Sequence, residues 1–140
     1  MFCWGRLCRQ NPQDCLLIMS NFTILDLPSF GDSRGVLTVI DGLLPFTIQR
    51  LYWIQGVEGQ VRGGHRHHKT RQALIAIAGQ VAIYVNDGKR EDTIVLDSAR
   101  RCLVVEPEDW HTMTFTAGSV LLVISSHPYD LNDYIDERYA

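Results

Sequence analysis

The strongest constraint on this chain is its succession of short apolar runs, each closed by turn residues. They lie at 35–40, 47–54, 72–77, 80–85, 93–96, 102–105, 111–115 and 119–124, with 22–27 as a plausible first strand. None before the C-terminal tail repeats its apolar residues at a helical period, so strands with two alternating faces must build the interior. Asn86-Asp87-Gly88 separates two of the runs. These residue types accept the positive φ of a tight hairpin, so the flanking strands should pair antiparallel. Many short strands at this spacing predict an all-β sandwich or barrel. With 140 residues, 46% of them apolar, the chain suffices for one such core and is read as a single domain.

Formal net charge is -3 and the basic residues are dispersed. No dense cationic face of the kind that nucleic-acid backbones require is expected. Three of the four cysteines, Cys3, Cys8 and Cys15, crowd the first fifteen residues, and Cys102 sits in an apolar run. A reduced, cytoplasmic chain fits this better than a disulfide framework. The apolar run at 15–19 is too short to span a bilayer, and the residues before it lack the order of a signal peptide, so no membrane association is expected. Residues 1–18 lack periodicity and are read as a disordered N-terminal extension, with Met19 as a candidate start and 19–140 as the domain. The acidic, aromatic tail 129–139 is expected as a short helical or irregular segment folded over one face.

The residues able to carry chemistry cluster in Arg62-Gly-Gly-His-Arg-His-His-Lys-Thr-Arg71. In an extended strand His65 and His67 share a face and His68 opposes them. Gly63 and Gly64 permit a close approach of a ligand or of backbone. His111 opens a late strand. A His-x-His pair followed by a distant strand-borne histidine resembles the arrangement of cupins, in which three imidazoles converge inside the barrel mouth. Metal binding is one use of such a set, but a metal cupin typically adds a carboxylate after the pair, and here that position is Gln72. Acid-base chemistry is the other, because an imidazole with a pKa of about 6.5 can accept or donate a proton near neutrality.

Arg34, in Phe30-Gly-Asp-Ser-Arg-Gly35, is a planar donor suited to phosphate or carboxylate, or else a surface residue of a capped turn. Tyr52 and Trp53 alternate to opposite faces, one for the core and the other for the pocket wall. Arg50, Arg62, Lys69 and Arg71 concentrate positive charge around the histidines, which favours an anionic ligand.

Taken with Leu96-Asp-Ser98, Glu106-Pro-Glu-Asp-Trp-His111 and Tyr129-Asp-Leu-Asn-Asp-Tyr-Ile135, the histidine segment resembles the WxcM-like, or FdtA/QdtA, family of nucleotide-sugar 3,4-ketoisomerases. The resemblance spans about residues 20–137. Phe30-x-Asp-x-Arg-Gly is also similar to the phosphate-binding strand of the dTDP-sugar 3,5-epimerases. The resemblance implies an RmlC-like jelly-roll β-sandwich of the cupin class, a homodimer, a dTDP-linked 4-keto-6-deoxyhexose as substrate, and neither metal nor cofactor. It passes the proton transfers to His65 and His67, with Tyr52 assisting. Arg34, Arg50, Arg62, Lys69, Gln72 and His111 are expected to bind substrate. The family pattern often reads His-Ala-His-Lys and has a tyrosine pair in the preceding strand, where this chain has Arg66 between the histidines, an additional His68, and Tyr52-Trp53. A 3,5-epimerase, or a non-catalytic sugar- or metal-binding cupin, is the competing expectation.

Overall fold

The computed structural model describes residues 22–140, so the N-terminal extension at 1–18, Met19 and three of the cysteines lie outside the described residues. The elements are β1 (Ile24–Asp26), β2 (Ser29–Asp32), β3 (Gly35–Thr38), β4 (Arg50–Gln55), β5 (Val61–His67), β6 (Gln72–Ala78), β7 (Val81–Asn86), β8 (Glu91–Leu96), β9 (Arg101–Val105), β10 (Trp110–Phe115), β11 (Val120–Ser125) and β12 (Tyr134–Ile135). One five-stranded sheet has the order β1-β9-β6-β11-β4 and the other β12-β5-β10-β7-β8, while β2 and β3 form a separate two-stranded hairpin. Every pairing is antiparallel.

The alternation in the sequence sets the two layers. Leu74 and Ala76 on β6, Val81, Ile83 and Val85 on β7, and Leu121 and Val123 on β11 point between the sheets into one core. The intervening Ala73, Ile75 and Ile124 point outward. They are covered by Leu27 and by the 40–46 segment, through Ile40, Leu43, Leu44 and Phe46. Burying one such side chain contributes about 1.5–3 kcal/mol, so both faces of the first sheet hold it in place. Cys102 belongs to this second layer as a free thiol, and burial pushes its pKa up to about 12.

Asn86-Asp87-Gly88 does close the β7–β8 hairpin. Asn86 pairs with Glu91, and the Asn86 side-chain oxygen accepts from the Gly88 amide at 2.8 Å. Three strands fall outside the apolar runs: β2 overlaps the segment read as a turn, β5 is the histidine segment itself, and β12 lies in the tail. The C-terminal tail is a single 3-10 turn, Leu131–Asp133, followed by β12, which adds to the edge of β5 with Tyr134 opposite His67. Among the described residues no helix is long and apolar enough to cross a membrane.

Candidate active site

Two glycines determine how β5 presents its histidines. Gly63 and Gly64 take φ values of 83° and 80°, a region costly for residues with a Cβ. A Cβ on Gly63 would also stand 2.8 Å from the His111 carbonyl oxygen. Pairing with β10 slips at this point: His111 faces His65 and Thr112 faces Gly63, which leaves Gly64 as the extra residue of a β-bulge. Directly opposed residues share a face. Met113 points into the core, so its partner Arg62 lies on the inner side, and past the bulge so do His65 and His67. Without the extra residue, the step of three from Arg62 to His65 would place them on opposite faces.

The three imidazoles meet as the sequence predicts. Ring centroids lie 5.1 Å apart for His65 and His67, 5.3 Å for His65 and His111, and 6.3 Å for His67 and His111. Burial lowers the pKa of His65, with Asp136 opposing. Burial and then the neighbouring His65 bring His67 down to about 4, against the pull of Asp133. His111 is wholly buried and is likewise pushed down to about 4. Its Nδ1 lies 3.0 Å from the Asp109 carbonyl oxygen. A carbonyl only accepts, so Nδ1 carries the proton and Nε2 is left as a lone pair with no partner among the described residues. Near neutral pH the site therefore holds uncharged imidazoles, which are bases. Among the described residues no group of three or more His, Cys, Asp or Glu side chains is arranged to hold a metal ion.

Tyr52 packs on the core from β4, and its hydroxyl oxygen accepts from the Gln72 side-chain amide at 3.3 Å. That amide also reaches the Ser125 hydroxyl at 3.3 Å. Gln72 is thus a buried donor fixing a phenol. Burial raises the Tyr52 pKa, helped by Tyr134 and opposed by Arg50, so the phenol keeps its proton. The Arg50 guanidinium lies 4.4 Å over the Tyr52 ring and 5.3 Å over the Tyr129 ring. Arg50, His67, Gln72, Tyr129 and Tyr134 share the lining of one small pocket.

Other expected residues stand farther out. Lys69 is at the rim, its ammonium paired with Asp130 at 3.2 Å. Arg62 is exposed on β5 within electrostatic reach of Tyr52. Arg34 is not brought to the cluster: it sits in the β2–β3 hairpin, 87% exposed, and pairs with Asp32 at 2.5 Å. Trp53 was expected in the core or the pocket wall and is in neither. It is 62% exposed, because on β4 the inward step belongs to Arg50, Tyr52 and Ile54. Arg71 forms a two-pronged pair with Glu106 and is structural.

Sequence reasoning missed the contribution of the C-terminal segment. Tyr134 places its ring 4.8 Å from both His65 and His67, edge to face. The buried Asp133 accepts from the Lys69 amide at 2.8 Å and from the Thr70 hydroxyl, tying the end of the histidine strand. The signal was present in Tyr129-Asp-Leu-Asn-Asp-Tyr-Ile135, but a tail pattern cannot show that it adds a strand to β5.

The family described as FdtA, WxcM-like, C-terminal, matches residues 20–140. A curated relative, TDP-4-oxo-6-deoxy-alpha-D-glucose-3,4-oxoisomerase of Aneurinibacillus thermoaerophilus, is 36% identical over 116 residues, covering 80% of this chain and 84% of that protein. Among solved structures, a double mutant of the QdtA 3,4-ketoisomerase from Thermoanaerobacterium thermosaccharolyticum, in complex with TDP, aligns with a TM-score of 0.80 and 38% identity. It covers 86% of this chain and 90% of that one. The RmlC 3,5-epimerase of Legionella pneumophila aligns with a TM-score of 0.71 at 14% identity, covering 81% of this chain and 70% of that one, a likeness of fold alone. The chain belongs to the FdtA family of WxcM-like proteins and folds as an RmlC-like cupin.

Proposed function

We infer that this protein is a nucleotide-sugar 3,4-ketoisomerase that converts a dTDP-4-keto-6-deoxyhexose to its 3-keto isomer in deoxysugar or polysaccharide biosynthesis. The observation that carries this is a pair of neutral imidazoles on the inner face of one strand, opposite a half-buried phenol on the inner face of β4, with cations at the rim. A neutral imidazole removes the acidic proton alpha to a ketone, and a protonated phenol donates to the oxygen on which negative charge develops. His65 takes the C3 proton, giving an enediol-like intermediate. The imidazolium so formed is disfavoured beside His67 in a buried site, so the proton passes on, and His67 delivers a proton at C4 while Tyr52 serves the ketone oxygen. A positioned proton-transfer group of this kind is worth about two to four orders of magnitude in rate. Arg34 and Arg62 hold the diphosphate, Arg50 and Lys69 add positive charge at the mouth, and Gln72 and His111 complete the wall.

The same reading makes the protein a cytoplasmic homodimer. Trp53 and Leu51 on the edge strand β4, and Phe30, Val36 and Leu37 on the β2–β3 hairpin, are large apolar side chains that a second copy would cover. Sedimentation of the purified protein checks this, with twice the chain mass as the expected result. Turnover is tested by incubating the protein with dTDP-4-keto-6-deoxyglucose and following the sugar by NMR. New 3-keto signals are expected, and substrate left intact after long incubation overturns the assignment.

A further inference from the structure

The isomerisation proposed above changes the proton count at four atoms. C3 loses a proton and C4 gains one, while the oxygen on C4 gains a proton and the oxygen on C3 loses one. The two histidines serve the carbons. Two adjacent oxygens remain, and on β4 only Tyr52 faces inward with a phenol, because Trp53 is turned outward.

We propose that Tyr134 is a second catalytic phenol, handling the substrate oxygen that Tyr52 does not. This rests on the ketoisomerase reading and adds a residue to it. Tyr134 pairs with His67 across β12 and β5, which puts its side chain on the face that carries the histidines. Its ring lies 4.8 Å from each of the two imidazoles and lines the pocket together with Gln72 and Arg50. Tyr52 accepts the Gln72 amide on its oxygen, so its own proton is free to be donated. The Tyr134 hydroxyl forms no hydrogen bond with any described residue, and no ion pair draws it away. Asp133, its chain neighbour, anchors the segment by accepting from Lys69 and Thr70. A phenol held by backbone pairing and ring contacts, with its hydroxyl uncommitted, is preorganised for a ligand oxygen.

The protons balance. As the C3–H bond breaks and its electrons form the C3–C4 double bond, the proton goes to His65 and the C4 oxygen takes the proton of Tyr52. As C4 is protonated from the histidine pair, the C3 oxygen gives its proton to the Tyr134 oxygen, and the original Tyr134 proton passes to Tyr52. Both phenols end as they began, and no oxidant or further reactant is required.

Tyr134→Phe keeps the ring and its contacts and removes only the hydroxyl. In deuterated water the variant should lose about a hundredfold or more in product formation, with KM within a few fold and the melting temperature unchanged. Exchange of the C3 hydrogen with solvent should persist, because His65 and Tyr52 still form the enediol. Trp53→Tyr combined with Tyr134→Phe should restore nothing, since position 53 faces outward. Product formation by Tyr134→Phe within twofold of the unaltered protein overturns the proposal. So does an equal loss of C3 exchange and of product, which marks a structural role. If the unaltered protein fails to isomerise the sugar while exchanging C3 and C5 hydrogens, the ketoisomerase reading is what fails, and the role of Tyr134 in it falls as well.

Discussion

The two ends of the sandwich interior are built from the same strands and do opposite jobs. On β6 the inward positions run from Gln72 to Leu74 to Ala76, on β11 from Ser125 to Val123 to Leu121, and on β10 from His111 to Met113 to Phe115. The pairing register keeps the polar members level with one another: Ser125 lies between Gln72 and Arg50, while Leu121 lies between Ala76 and Ile54. One end is an aliphatic plug close to fully buried. The other buries Gln72, His67 and His111 almost as completely, and their hydrogen-bonding groups cost stability unless partnered. His111 Nε2 has no partner among the described residues. A fold that carries such a cost at one end relies on the other end for its stability, and it keeps imidazoles uncharged where a substrate can use them.

The sharpest contrast is expected in activity. His67→Asn should lower turnover by about two to four orders of magnitude, with thermal stability preserved or raised, measured by kinetics and calorimetry on the same preparation. Leu121→Ala should do the reverse, costing about 2–5 kcal/mol of stability while activity per folded molecule stays near that of the parent. Similar behaviour of the two variants would break the division between the ends.

Acid should act through the polar end. His67 and His111 are held near 4 in the fold, below the 6.5 of an unfolded histidine. Between those values the unfolded chain binds more protons than the folded one, so stability falls as pH drops from 6.5 towards 4. Melting temperatures across that range should decline, and His111→Leu should flatten the decline. An unchanged slope in that variant would mean that other groups set it. The acid limb of kcat/KM should likewise lie below 6.5.

The smallest effect is expected on the hairpin. Arg34→Ala removes a fully exposed, solvent-screened ion pair with Asp32 and should leave thermal stability unchanged. It should raise KM for the nucleotide sugar with kcat little changed, and an unaltered KM would remove Arg34 from the diphosphate site.

The strands and the antiparallel hairpin were legible because apolar alternation and Asn86-Asp87-Gly88 are local signals. The shared face of His65 and His67 was legible for the same reason. The bulge at Gly64 was not, since a residue count on one strand cannot reveal that its partner skips a position. Arg62 was picked out by charge alone, although the slipped register is what turns it inward. Tyr134 and Asp133 were hidden because their role depends on β12 pairing with β5 across more than sixty residues of chain. Trp53 was misplaced because alternation assigns two faces without saying that the outer one on this edge strand is left uncovered. Arg66, the departure between the histidines, points away from them to Glu108 and Tyr139, and so clamps the C-terminal end of the chain.

The central claim is that the histidine end moves a proton between C3 and C4. The direct measurement is the position of solvent deuterium in the sugar after reaction in deuterated water. Deuterium at C4 with the carbonyl at C3 and the C5 hydrogen retained is the predicted result. Deuterium at C3 and C5 with the carbonyl still at C4 would contradict it and mark the site as that of an epimerase.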